Sequence, residues 1–181
     1  MNRWLRLLLT ILKANFRKPL EPDEETSLDF RVWISDVDLA IVNNGAMLAL
    51  METGRWDLMV RTGFLKHALK EGLYLPLASI YAQFRRPLKR FQKFQLKTQL
   101  IYWDDEWIYL VNRIVRKNKT MAIALAKVTL RKGRERIPFD KVIDKLNWGA
   151  KPKKRPEMID DFEKGAALFF EDCEAKINGE R

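Results

Sequence analysis

DVDLAIVNNGAMLALMETGRWDLMVR, residues 36 to 61, is the stretch whose reading decides the fold of this chain. Two acids, Asp36 and Asp38, and the pair Asn43-Asn44 stand just ahead of a segment rich in Ala, Leu and Met. Asp and Asn favour helix starts because their short side chains accept hydrogen bonds from the first free amides. The pattern predicts a helix from about Asn44 to Val60, with Gly63 and Gly72 closing two successive helical pieces. A helix with so few polar interruptions has to be wrapped by other elements.

The wrapping elements are legible on both sides of it. Upstream, Leu28, Phe30, Val32 and Ile34 alternate with Asp29 and Arg31, which predicts a strand with one buried face. Downstream, strand-like runs near Leu75 to Phe84, Phe91 to Trp103, Trp107 to Arg116 and Thr120 to Arg131 are separated by Arg86-Pro87, Asp104-Asp105-Glu106 and Lys117-Asn118-Lys119. In the second run Phe94, Leu96, Thr98, Leu100 and Tyr102 oppose Lys93, Gln95, Lys97 and Gln99, the alternation of a sheet packed on one side. Ala122, Ala124 and Ala126 form a small-residue row where a helix could approach closely. The expected fold class is α+β: a curled antiparallel sheet around one long central helix.

Composition agrees with a globular unit. At 181 residues, 47% apolar and 32% charged, the chain is long enough to bury a core without staples. No apolar run approaches the roughly 20 residues of a membrane-crossing helix. The formal charge of +10 suits polyanions, whether nucleic acid, anionic headgroups or the phosphates of coenzyme A. No nucleic-acid signature stands beside the aromatic residues, so no nucleic-acid partner is expected. Cys173 is the single cysteine, so an internal disulfide is impossible and a reducing compartment is expected. His67 is the single histidine and is read as a surface or partly buried helical residue, and no metal site is expected.

The domain reading is an amphipathic basic helix over 1–18, a linker over 19–27, the main domain over 28–147, and a C-terminal linker and helix over 148–181. In the first of these, Arg3, Arg6, Thr10, Lys13 and Arg17 share one helical stripe, with Trp4, Leu7, Leu8, Ile11 and Leu12 opposite. With Lys18 added and no acid, such a helix could lie in an anionic bilayer surface. Packing on its own domain or on a partner is the alternative.

Residues 28 to 140 resemble hotdog-fold acyl-CoA thioesterases of the 4-hydroxybenzoyl-CoA thioesterase type. The residues that carry the resemblance are Asp36-x-Asp38, Asn43-Asn44-Gly45, Leu50-Met51-Glu52, Gly54-Arg55-x-Asp57, Phe84-Arg85-Arg86-Pro87-Leu88 and Tyr102-Trp103-Asp104-Asp105-Glu106-Trp107. Their order and spacing, more than any one of them, make the match specific. The chain departs from the family pattern in lacking a His before Val42-Asn43-Asn44 and in a spacer after Asp38 that is one residue short.

The resemblance implies that Asp38 acts as nucleophile or general base, with Asp36 as the reserve acid and Glu52, two turns into the helix, as a further candidate. Thioester hydrolysis also needs donors for the oxyanion. The amides of Asn44, Gly45 and Ala46 would supply them at the positive end of the helix, with Asn43 and Asn44 orienting the acid, a water or the substrate. Plain capping by these aspartates and asparagines is the structural alternative. Arg85, Arg86, Lys89 and Arg90 could bind coenzyme A phosphates at the mouth of an acyl tunnel; a solvated strand edge is their bland reading. The implied partners are an acyl-CoA substrate and a second copy in a homodimer or higher homo-oligomer, with no cofactor beyond the coenzyme A of the substrate. The implied place is the cytoplasm, with an anionic membrane surface open to residues 1–18. The rival expectation is a non-catalytic hotdog protein that binds acyl chains or a membrane surface.

Overall fold

The computed structural model describes residues 3–148 and 154–177, which fall into two compact units dividing between residues 149 and 150. The first unit opens with helix α1 (Arg3–Ala14) and strand β1 (Thr26–Arg31). A 3-10 turn (Ile34–Asp36) leads into a small hairpin of β2 (Val37–Asp38) and β3 (Ile41–Val42). Helices α2 (Asn44–Arg61) and α3 (Phe64–Glu71) follow. Four long strands come next: β4 (Leu77–Phe84), β5 (Lys93–Trp103), β6 (Ile108–Arg116) and β7 (Lys119–Val128). A two-residue pair, β8 (Arg131–Lys132) with β9 (Glu135–Arg136), and helix α4 (Asp140–Leu146) complete the unit.

One antiparallel sheet in the order β1-β5-β6-β7-β4 carries the unit. The expected strand reaching Ile34 stops three residues earlier: Ile34 is 60% exposed in the 3-10 turn, and the strand instead begins at Thr26, inside the expected linker. Thr26 opposite Thr98 and Phe30 opposite Phe94 fix its register on β5.

The predicted central helix is α2. Met47, Leu50 and Met51 are buried against Leu96, Ala122 and Ala124, so the small-residue row of β7 does lie under the helix. Burial of each such large side chain contributes about 1.5–3 kcal/mol. Gly54 marks a close approach to the sheet, because a Cβ there would stand 2.2 Å from Thr98 Oγ1 and 3.0 Å from Leu96 Cδ2. Three residues on, Asp57 is fully buried and held by Arg17, 3.0 Å and 3.2 Å from its two oxygens, by the Thr26 hydroxyl and by Arg61 at 3.7 Å. These pairings offset the cost of taking a carboxylate out of water.

Helix α1 lies on the domain the other way round from an ordinary surface helix. Its polar stripe faces inward, with Arg6 4% and Thr10 6% exposed, while Trp4, Leu5, Leu8 and Leu12 are 68%, 48%, 54% and 51% exposed. Asp36 and Asp57 are the reason: they draw Arg6 and Arg17 toward the domain. The Arg3 side chain lies outside the described residues. The aromatic pair Trp103 and Trp107 serves the chain itself, since Trp103 is buried and Lys127 and Arg136 sit 4.0 Å and 4.7 Å over the Trp107 ring.

The second unit is helix α5 (Glu157–Ile177), with Glu157 and Asp160 in its first turn, where the macrodipole favours acids. Arg155 donates to Asp160 at 2.7 Å. Residues 151–153 of the expected linker lie outside the described residues.

Candidate functional site

The short spacer after Asp38 becomes the tight β2–β3 hairpin. Val37 pairs with Val42 and Asp38 with Ile41, leaving Leu39 and Ala40 as the turn. A two-residue hairpin turn wants a left-handed residue, usually Gly, at its first position. Leu39 takes that place with φ of 55° and is 99% exposed. Left-handed backbone costs a non-glycine residue about 1–2 kcal/mol, so the turn is a strained, bare apolar tip.

The two loop acids have different fates. Asp36 is buried, accepts a 2.7 Å bond from Arg6 and a 2.9 Å bond from the Trp33 amide, and so ties the loop to α1. Asp38 is exposed and accepts a bond from the side-chain amide of Asn43. Asn43 is also the N-cap of α2: its Oδ1 accepts from the Gly45 and Ala46 amides at 2.7 Å and 3.3 Å. The expected donor set is therefore divided. Gly45 and Ala46 serve the cap, and the Asn44 amide stands outside it. The same Asn43 side chain holds the acid with one end and the helix start with the other.

The basic cluster adjoins this hairpin. Val42 donates to the Leu88 carbonyl at 2.8 Å and Ile41 bridges Lys89, which pins residues 88–89 beside the acid loop, while the Arg85 and Arg86 amides donate to the Met121 carbonyl on β7. Arg85, Arg86, Lys89 and Arg90 are all exposed; Arg86 also donates to the Thr120 carbonyl at 3.0 Å. Phosphate oxygens suit such guanidinium and ammonium groups.

Glu52 lies apart from that cluster. Eight residues past Asn44, at 1.5 Å per residue, it is about 12 Å along the α2 axis. It lines an apolar cavity of about 570 Å³, together with Arg55, Met59, Ala68, Leu110 and Trp148. Burial lowers the Arg55 guanidinium from its ordinary value, and the charge of Glu52 opposes that shift. A cavity of this size and lining suits an apolar ligand. It runs along the second half of α2, away from the acid loop. Sequence reading missed it because its walls come from α2, α3 and four strands. His67 is half-buried on α3, and among the described residues no group of three His, Cys, Asp or Glu could hold a metal ion.

Comparison with known proteins places this geometry. A family model described as the thioesterase-like superfamily matches residues 32–162. A probable thioesterase of Saccharomyces cerevisiae, YBR096W, is 32% identical over 99 residues, covering 52% of this chain and 43% of its own length. The chain thus spans about half the length of the first curated relatives it matches. Among solved structures, a hypothetical protein of Thermus thermophilus, TT1821, superposes with a TM-score of 0.63 at 19% identity, covering 71% of this chain and all of that one. A DHNA-CoA thioesterase of Staphylococcus aureus superposes with a TM-score of 0.61 at 14% identity, covering 82% of this chain and 95% of that one. The fold they share with this chain is the hotdog fold.

Proposed function

The chain belongs to the thioesterase-like superfamily, and from that premise we propose that it is an acyl-CoA thioesterase, hydrolysing the thioester to a free acid and coenzyme A. The observation that carries this reading is the carboxylate of Asp38, held by Asn43 beside the leading end of an 18-residue helix. Asp38 acts as general base or nucleophile toward the thioester carbonyl. The oxyanion forms at the α2 N-terminus, where the Asn44 amide and the helix dipole favour negative charge. Asp36 has a structural task in this scheme, because its charge is committed to Arg6. The exposed cations Arg85, Arg86, Lys89 and Arg90 lie next to the same loop and take the coenzyme A phosphates.

The acyl chain runs along α2 from a thioester at Asn44 toward the cavity that begins at Glu52. The span of about 12 Å makes long aliphatic acyl groups the preferred substrates. A homodimer fits the eight-residue edge strand β4, which bears exposed Leu77, Tyr81 and Phe84 and would otherwise invite aggregation. We place the protein in the cytoplasm, peripheral at a membrane surface.

The test is turnover across a panel of acyl-CoA chain lengths, with binding measured in parallel. Hydrolysis that rises with chain length supports the proposal. The cavity also favours a second reading, a hotdog protein that binds acyl chains without catalysis. Tight acyl-CoA binding with no turnover at any chain length would establish that reading instead.

A further inference from the structure

We infer that the chain docks on anionic bilayers through a composite surface, the outward face of α1 together with the β2–β3 tip, so that the loop carrying Asp38 works at the lipid interface. The inference rests on the proposed activity for its catalytic consequence, but the docking surface stands on geometry and charge.

Helix α1 supplies the first part. An ordinary amphipathic helix hides its apolar side, whereas here the stripe Arg6, Thr10 and Ala14 is buried and Trp4, Leu5, Leu8 and Leu12 face out. A contiguous apolar face of this kind marks a place where something else covers it. The loop supplies the second part. Trp33, Ile34, Leu39 and Ile41 are exposed large hydrophobic residues around the hairpin. Their neighbourhood with α1 is fixed by the 2.7 Å bond from Arg6 to Asp36. A left-handed leucine left bare at the tip is strained and poorly solvated, and such outliers gather at functional segments.

Charge decides what the occupant is. The exposed cations around these two parts are Lys13 and Lys18 on the helix side and Lys89 and Arg90 beside Ile41. The whole chain carries +10. An apolar face inside a cationic rim is the complement of an anionic lipid surface. No helix among the described residues is long and apolar enough to cross a membrane, so the contact lies in the interface. Asp38 sits between Ile34 and Leu39 in the sequence, and docking therefore brings the reactive loop to where long acyl chains partition.

The experiment is flotation of the full chain with phosphatidylcholine vesicles, with and without phosphatidylglycerol, alongside Trp fluorescence and light scattering for mass. The expected result is binding that requires the anionic lipid, with a blue shift from Trp4 and Trp33. Leu8→Asp with Leu12→Asp should weaken binding about a hundredfold, as loss of two inserted leucines implies. Leu39→Asp should weaken it about tenfold while circular dichroism stays unchanged. A second expected result is faster hydrolysis of long-chain acyl-CoA on anionic vesicles, an increase absent from the Leu8 and Leu12 double variant. Binding indifferent to these substitutions overturns the inference. So does an oligomer in solution that dissociates in the double variant, because a second copy would then be the occupant. Vesicle binding without hydrolysis would leave the docking surface standing and sink the thioesterase reading alone.

Discussion

The two ends of α2 do different work with the same kinds of residue. At the leading end Asn43 and Asp38 lie in solvent and bond to each other; three turns further on, Gly54 and Asp57 are sealed against β5 and β1. Both sets belong to the motifs through which the chain resembles its family. On the proposed function, a shared motif residue at or beside this helix is chemical where its polar group is wet and constructional where it is dry. Asp57 has its charge consumed by Arg17 and Arg61, while Asp38 is exposed to solvent.

That contrast breaks most severely at Asp57. Asp57→Ala should cost about 3–5 kcal/mol, since Arg17 and Arg61 would face an empty buried site. Thermal unfolding should fall by about 10 °C, and an unchanged melting point would show that the cluster is ornamental. Gly54→Ala comes next. Its methyl group would collide with Thr98 Oγ1 at 2.2 Å, and overpacking of this kind costs about 1–3 kcal/mol. Asn43→Ala should cost about 1 kcal/mol of stability through the lost cap. It should also slow hydrolysis more than that loss explains, because it frees Asp38. A stability change with normal turnover would make Asn43 a cap and nothing more.

The smallest expected effect is at Glu25, which reaches Lys97 at 3.0 Å and Arg113 from the end of the linker. Burial pushes this carboxyl up, but the bonds from Arg113 and Lys97 together outweigh that and hold it below the ordinary value of 4.5. A depressed value means that its stabilisation is complete above the unfolded value and fades as pH falls through the folded one. Glu25→Gln should therefore lower stability slightly at neutral pH, by about 1 kcal/mol or less, and not at all in strong acid. Equal effects at both pH values would contradict the pairing.

The helix α2 and the four long strands were legible in the sequence because their signals are local: capping residues, alternation over neighbouring positions and turn residues at the breaks. Their expected order as one four-strand meander was not: β5, β6 and β7 follow one another, but β4 crosses to pair with β7 at the far edge, a non-local pairing. Nor was the orientation of α1. Its periodicity showed two faces, but the bonds that choose between them join Arg6 to Asp36 and Arg17 to Asp57, pairs remote in sequence. The same distance hid the task of Asp36, which looks like Asp38 in the sequence but is buried with Arg6 and the Trp33 amide as its donors. Of the named site residues, Asp38, Asn43 and Lys89 come together around one hairpin, while Arg85 and Arg86 are bonded to the start of β7. Glu52 belongs to the cavity instead, a separation that a helix's rise makes plain once its start is fixed. The strand end at Ile34 misled because alternation continues through a 3-10 turn whose apolar side chain points to solvent.

The most direct measurement is single-turnover hydrolysis of a long-chain acyl-CoA by Asp38→Asn, with acyl-CoA affinity and melting temperature measured on the same protein. An acid at the wet end of α2 that does the chemistry predicts a loss of about 10²–10⁴ in the hydrolytic rate, with affinity and melting unchanged. Hydrolysis at the unmodified rate would contradict it, most sharply if Glu52→Gln then abolished turnover and moved the chemistry to the cavity.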